Sequence, residues 1–241
     1  MHFLQIGGLI FPKMDQMDFT GPFKVLSLVP NSEFHVLWKE LAPLRDGRGL
    51  ILTPDTRLDE APPLDVLLVP GGPGQEALME DDTVLEFLRA QARSARLVFS
   101  VCTGALICGA AGLLGGLRAT THWNSLHLLQ YFGAIPVDER VVVDGKHVSA
   151  AGVSSGIDGA LRVVQLLCGD RVAQAIQFSY SMRRSLYSPA ARCRRRRRKS
   201  WSCAGRRCAR LASGGWPRRG GWHRSWIPLE RQAEAPAPPV T

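Results

Sequence analysis

Val98-Phe99-Ser100-Val101-Cys102-Thr103-Gly104-Ala105 carries an apolar strand without a break into a cysteine and then into small, helix-compatible residues. That order describes a nucleophile elbow. A sharp strand-to-helix turn lifts one side chain clear of the sheet, and the first free N–H groups of the helix face whatever it attacks. The positive end of the helix dipole favours thiolate, the reacting form, so a thiol pKa below the usual value of about 8.5 is expected. Cys102 is the candidate nucleophile. Its competing reading is a buried cysteine packing as a small hydrophobe, and the order strand, cysteine, glycine weighs against it.

On both sides of the elbow, short apolar runs alternate with helical patterns, the signature of a sheet covered on both faces. Strands are expected at Leu4–Phe11, Phe34–Trp38, Asp65–Val69 and Leu97–Val101. Thr20 is placed to cap a helix with Pro22 in its first turn, and a second helix is expected over Asp82–Ala95. Trp123–Tyr131 reads as helical. Arg140–Val143 and His147–Ala150 flank Asp144-Gly145, a type I′ hairpin signal, and a further helix opens at Ser155 or Gly156 and stops at Gly169.

Three features converge on the elbow. The turn Pro70-Gly71-Gly72-Pro73-Gly74 follows a strand, and strand ends in open α/β sheets meet at one crevice. Gly71 and Gly72 therefore offer backbone N–H groups for an oxyanion hole, although a plain tight turn has the same composition. The motif is neither a dinucleotide fingerprint nor a Walker loop. A thiolate needs an acid/base partner, and the loop after the first strand supplies Asp18, whose plainer role would be a helix cap. Asp15 reads as a solvated loop charge. His122, beside Trp123, is a second-tier candidate that a structural histidine would equally explain. Thr103 adds a hydroxyl next to the sulfur.

The formal charge of +9 conceals two materials. Met1–Phe178 holds 14 Lys/Arg against 19 Asp/Glu, a net of −5, while Ser179–Thr241 holds 16 against 2, a net of +14. The first part has regular apolar periodicity and length enough for one domain. The second is Arg, Trp, Pro and Gly with a basic run at Arg194–Lys199, and is expected to be disordered by itself. No secretory signal and no bilayer-length apolar run is visible, so a cytoplasmic protein with free thiols is expected. The tail cysteines, Cys193, Cys203 and Cys208, match no paired metal-knuckle spacing.

Five segments together, Asp18-Phe19-Thr20-Gly21-Pro22, Val69-Pro70-Gly71-Gly72, Ser100–Leu106, Ala119-Thr120-Thr121-His122-Trp123 and Gly156–Leu161, resemble the PfpI superfamily of class I glutamine-amidotransferase-like proteins. Within it they are most similar to the isonitrile hydratase subgroup. The resemblance spans about Leu4 to Phe178. It implies a flavodoxin-like three-layer α/β sandwich, a homodimer with a small-molecule substrate, and no metal or organic cofactor. Carried over by position, it makes Cys102 the nucleophile, Asp18 the acid/base and Thr103 an essential neighbour. Protease-like relatives place His directly after the cysteine, where this chain has Thr103, and glutaminases of the class need a later His-x-Glu that is missing here. The implied reaction is hydration of R–N≡C to an N-substituted formamide, with the Cys102 thiolate adding to the terminal carbon and Asp18 supplying the nitrogen proton.

The resemblance also admits a sensor, since AraC-like regulators use the same domain ahead of helix-turn-helix units. Ser179–Thr241 is too short and too poor in aliphatic residues for such a reader, whose recognition helix needs a packed core. A disordered arginine-rich nucleic-acid arm fits the charge. A frame-shifted translation of G+C-rich codons fits the composition better, with the break near Phe178.

Overall fold

Val66-Leu67-Leu68-Val69 is apolar at every position because both of its faces are covered; all four residues are buried. Continuous rather than alternating hydrophobicity is what a parallel strand between two helical layers requires. A computed structural model describes residues 3–180 of the 241-residue chain. The expectations for the chain from 181 onward lie outside the described residues.

In chain order the elements are β1 (Leu4–Leu9), α1 (Gln16–Leu26), β2 (Ser32–Trp38), β3 (Leu44–Arg45), β4 (Ile51–Leu52), β5 (Thr56–Arg57), β6 (Val66–Val69), α2 (Gln75–Leu78), α3 (Asp82–Ser94), β7 (Leu97–Val101) and α4 (Gly104–Ala110). There follow β8 (Arg118–Ala119), a 3₁₀ helix over Leu126–Phe132, β9 (Ile135–Pro136), β10 (Val141–Asp144), β11 (His147–Ala150), α5 (Ser154–Cys168) and α6 (Asp170–Ser179). Seven strands form the main sheet in the order β10-β11-β7-β6-β1-β2-β5. Every pairing in it is parallel except β10 with β11. Helix α5 packs on α1 and on β7 and β11, while α4 packs on α3, β6 and β7. The result is the expected flavodoxin-like sandwich. β3–β4 and β8–β9 pair separately from it.

The central strands β1, β6 and β7 all run the same way, so their C-terminal ends open at one edge. That edge carries the loop into α1, the glycine turn after β6 and the elbow after β7. Backbone bonds tie these loops together: the Asp15 N–H donates to the Gly71 carbonyl (2.9 Å) and the Gly74 N–H to that of Lys13 (3.0 Å).

Several expected boundaries shift for identifiable reasons. Helix α1 begins at Gln16 because Asp15, expected as a solvated charge, caps it by accepting the Met17 N–H at 2.9 Å. Thr20 is then interior and bonds Gln16 Oε1 (2.8 Å), and Pro22 sits inside the helix rather than at its first turn. The Trp123–Tyr131 helix forms only as the 3₁₀ segment. The β10–β11 hairpin is present, but Asp144 pairs with His147, so its loop is Gly145-Lys146. Of these two only Gly145 has a positive φ (55°), which excludes the type I′ turn expected from Asp144-Gly145.

Candidate active site

The elbow residue is strained. Cys102 has φ 55°, a left-handed conformation that a non-glycine residue adopts at a cost of about 1–3 kcal/mol. Three contacts hold it there. Its N–H donates to the Ala150 carbonyl (2.9 Å), its carbonyl accepts the Thr121 hydroxyl (2.6 Å), and the helix that follows fixes the chain beyond. Thr121 is a residue whose role the sequence does not reveal, because a threonine in the loop after β8 carries no sign of a partner 19 residues away.

Asp18 projects from the first turn of α1 and is fully buried. Its Oδ1 accepts the Val153 N–H at 2.8 Å, across 135 residues of chain. Oδ2 is buried without a hydrogen bond of ordinary geometry among the described residues. Asp18 is therefore no helix cap; it is a carboxyl delivered to the sheet edge. Burial raises its pKa to about 6, partly offset by the Val153 N–H, with Asp15 adding to the rise and Cys102 and the Gly71 amide opposing it.

The thiol behaves opposite to the expectation from the helix dipole. Burial first, and then the Asp18 charge, push the Cys102 pKa well above the ordinary thiol range, and the Thr103 N–H, which acts in the expected sense, is outweighed. Burial raises both acids, but the pair is unequal: the Asp18 charge raises the thiol further, while the thiol holds the carboxyl down. Near neutral pH the proton sits on sulfur, with Asp18 ionised beside it. The carboxylate is thus placed to take the proton as the sulfur engages an electrophile.

The glycine turn also packs against the elbow. The Gly72 N–H donates to Thr103 Oγ1 (3.0 Å), while the Gly71 amide lowers the Asp18 pKa without a hydrogen bond of ordinary geometry to it. Gly72 has φ 124°, and a Cβ there would collide with the Asp15 amide, so the close approach of the two loops requires glycine. Thr103, at the N-cap position of α4, thereby ties the elbow to this turn. Thr103→Val keeps the β-branched shape and removes the acceptor; we expect kcat to fall about tenfold at a stability cost of about 1 kcal/mol, read by steady-state kinetics and thermal melting.

His122 makes no hydrogen bond to Cys102 or Asp18 among the described residues. It is partly buried, lies 5.4 Å from the Trp123 ring between centroids, and is held neutral by burial. Trp123 is exposed. The loop after β11 was not singled out in the sequence, yet it closes the site: Gly152 lies against the sulfur, and Val153 supplies the Asp18 donor.

A mostly parallel sheet with a cysteine at a strained strand-to-helix turn and a buried carboxyl beside it defines the class: a flavodoxin-like protein with a cysteine elbow. More narrowly, the chain belongs to the DJ-1/PfpI family, which it matches over residues 6–166. It is 49% identical over 187 residues to isonitrile hydratase of Pseudomonas putida, covering 78% of this chain and 80% of that protein. A crystal structure of a ThiJ/PfpI family protein from Pseudomonas syringae superposes with a TM-score of 0.74 at 35% identity, over 79% of this chain and 80% of the other. The transcriptional regulator GbdR of Pseudomonas aeruginosa is 33% identical over 139 residues, covering 54% of this chain and only 38% of the regulator. Among the described residues no helix is long and apolar enough to cross a membrane.

Proposed function

We propose that the protein hydrates isonitriles to N-substituted formamides. The observation that carries this reading is the Cys102–Asp18 pair: one strained thiol and one desolvated carboxylate side by side at a single sheet edge. The identity to isonitrile hydratase supports it, and that match spans most of both chains. The regulator reading is weaker because the likeness to GbdR stops at 38% of that protein.

As the sulfur approaches the terminal carbon, Asp18 takes the thiol proton and the S–C bond forms. Electron balance then sends that proton to the carbon, which holds the lone pair, rather than to nitrogen as the motif reading alone has it. The product is a thioformimidate, R–N=CH–S, and Asp18 is again a carboxylate. It next removes a proton from water, whose oxygen adds to the same carbon while nitrogen is protonated. Collapse breaks the C–S bond and releases R–NH–CHO, and the second water proton returns to the Cys102–Asp18 pair. Negative charge at the first step falls on carbon and is quenched by a proton. The addition therefore needs no oxyanion hole.

The test is formamide production from cyclohexyl isocyanide by the full chain, followed by chromatography across pH. Activity should fall on the acid side with a midpoint near 6, because protonated Asp18 cannot accept the thiol proton. Absence of formamide at any pH would sink the reading, and an acid limb near 4 would assign the base to an ordinary carboxylate instead.

A further inference from the structure

We propose that Ser155 is a positioning residue: it latches the Gly152–Val153 peptide so that its N–H points at Asp18, and thereby sets the proton affinity of the acid/base without touching substrate. This deepens the hydratase reading and rests on it for the kinetic consequence only.

The geometry is that of a single peptide unit held at both ends. A trans peptide points its C=O and N–H in opposite directions. Here the carbonyl of Gly152 accepts the Ser155 hydroxyl at 2.8 Å and the Ser155 N–H at 3.0 Å, while the N–H of Val153 donates to Asp18 Oδ1 at 2.8 Å. The same hydroxyl oxygen accepts the Gly152 N–H at 2.6 Å. Ser155 is itself 1% exposed, so these bonds are shielded from water. Two donors on the carbonyl also polarise the amide and strengthen its N–H as a donor to the carboxylate.

The orientation is one the backbone does not choose. Val153 sits at φ 44°, ψ −105°, and a β-branched residue in that region is a genuine outlier. Rotating the peptide by half a turn would bring Val153 to a negative φ. It would also turn the Gly152 carbonyl toward the Asp18 carboxylate and remove that group's only hydrogen bond of ordinary geometry among the described residues. Gly152, at φ 141°, is required on the other side, since a Cβ there would lie 3.3 Å from the Cys102 sulfur. Strain held by surrounding bonds at a reactive site is the pattern expected of a preorganised group.

The titratable and charged groups that bear on Asp18 are Cys102 at the elbow and Asp15 at the α1 cap. From α5, Asp158 is paired with Arg140, whose guanidinium also donates to Ser154 Oγ (3.1 Å). The titration is therefore best read with the thiol removed. In full-length Cys102→Ala protein, the Asp18 carboxyl is followed by carbon-13 NMR against pH and assigned by its loss in Asp18→Asn.

Adding Ser155→Ala should raise the Asp18 midpoint by about one pH unit, because a carboxylate that loses a donor holds its proton more tightly. Ser155→Thr, which keeps the hydroxyl, should restore it, and Ser94→Ala, which removes a serine hydroxyl bonded to the Gln91 carbonyl on α3, should leave it unmoved. With Cys102 present, the acid limb of turnover should move up by the same amount. A merely structural role would lower the melting temperature without moving the midpoint. An unshifted midpoint in folded Ser155→Ala overturns the proposal. Should the alanine variant not fold, equal midpoints in Ser155→Cys and Ser155→Thr overturn it. A shifted midpoint in a protein that yields no formamide leaves Ser155 as the latch and removes the hydratase reading.

Discussion

Replacing Cys102 with alanine should lower kcat/KM for an isonitrile by about 10⁴-fold or more, since no covalent route remains. Cys108→Ala and Cys168→Ala should stay within about threefold of the parent. The three thiols differ in place rather than in type. Cys108 is fully buried inside α4, where desolvation alone pushes its pKa to about 12, and Cys168 ends α5 on the far side of that helix's start. Among the described residues, only Cys102 stands at the sheet edge with a carboxyl beside it. Mass spectrometry after iodoacetamide supplies a second measurement. Cys102 alkylation should rise with pH and show its midpoint above the ordinary thiol value of about 8.5, because burial and the Asp18 charge outweigh the helix dipole. Full turnover in the Cys102→Ala protein would end the covalent mechanism.

The elbow was legible because its chemistry and its fold share one string: an apolar run over Leu97–Val101, a single nucleophile, then small residues that let a helix start close to the sheet. β7 has the expected boundaries, and α5 stops at Gly169 with φ 84° as that glycine implies. The Asp18 carboxyl was found for the right chemical reason but on the wrong local structure. Two acidic residues and a Thr-Gly-Pro triplet within eight positions offer two plausible helix starts, and propensity alone favours the later one. The tertiary bond from the Asp15 amide to Gly71 decides for the earlier start, and no local rule contains it. The glycine turn was only partly legible for a related reason: such a turn announces free N–H groups, but the partner that takes the Gly72 amide is Thr103, 31 residues ahead. Val153 was invisible. No turn preference places a β-branched residue at positive φ, so the position that presents the donor to Asp18 looks like ordinary helix-entry text.

Asp18→Asn should separate the two halves of the site's chemistry. The asparagine keeps an oxygen for the Val153 N–H and loses the ionisable position, so we expect turnover to drop by about 10³-fold in a protein that still folds. It should also be more stable near pH 8. A carboxyl whose folded-state pKa is raised from 3.8 to about 6 stabilises the fold below its unfolded value and costs stability as pH rises through the folded one. The full cost, at about 1.4 kcal/mol per unit, approaches 3 kcal/mol, and an amide group facing the Gly71 N–H returns part of the gain. A net stabilisation of about 1–2 kcal/mol at pH 8, shrinking to nothing near pH 4, is the expected pattern in denaturant titrations. Removing the Asp18 charge should at the same time lower the Cys102 midpoint in alkylation, because that charge is one of the two main causes of its rise. The variant would then carry a more readily ionised sulfur and yet be inactive. That combination assigns Asp18 to moving the proton, since a carboxyl that served only to favour thiolate would raise the alkylation midpoint on removal. Retained turnover in Asp18→Asn would instead require another acid/base within reach of the sulfur, with His122 the first to test.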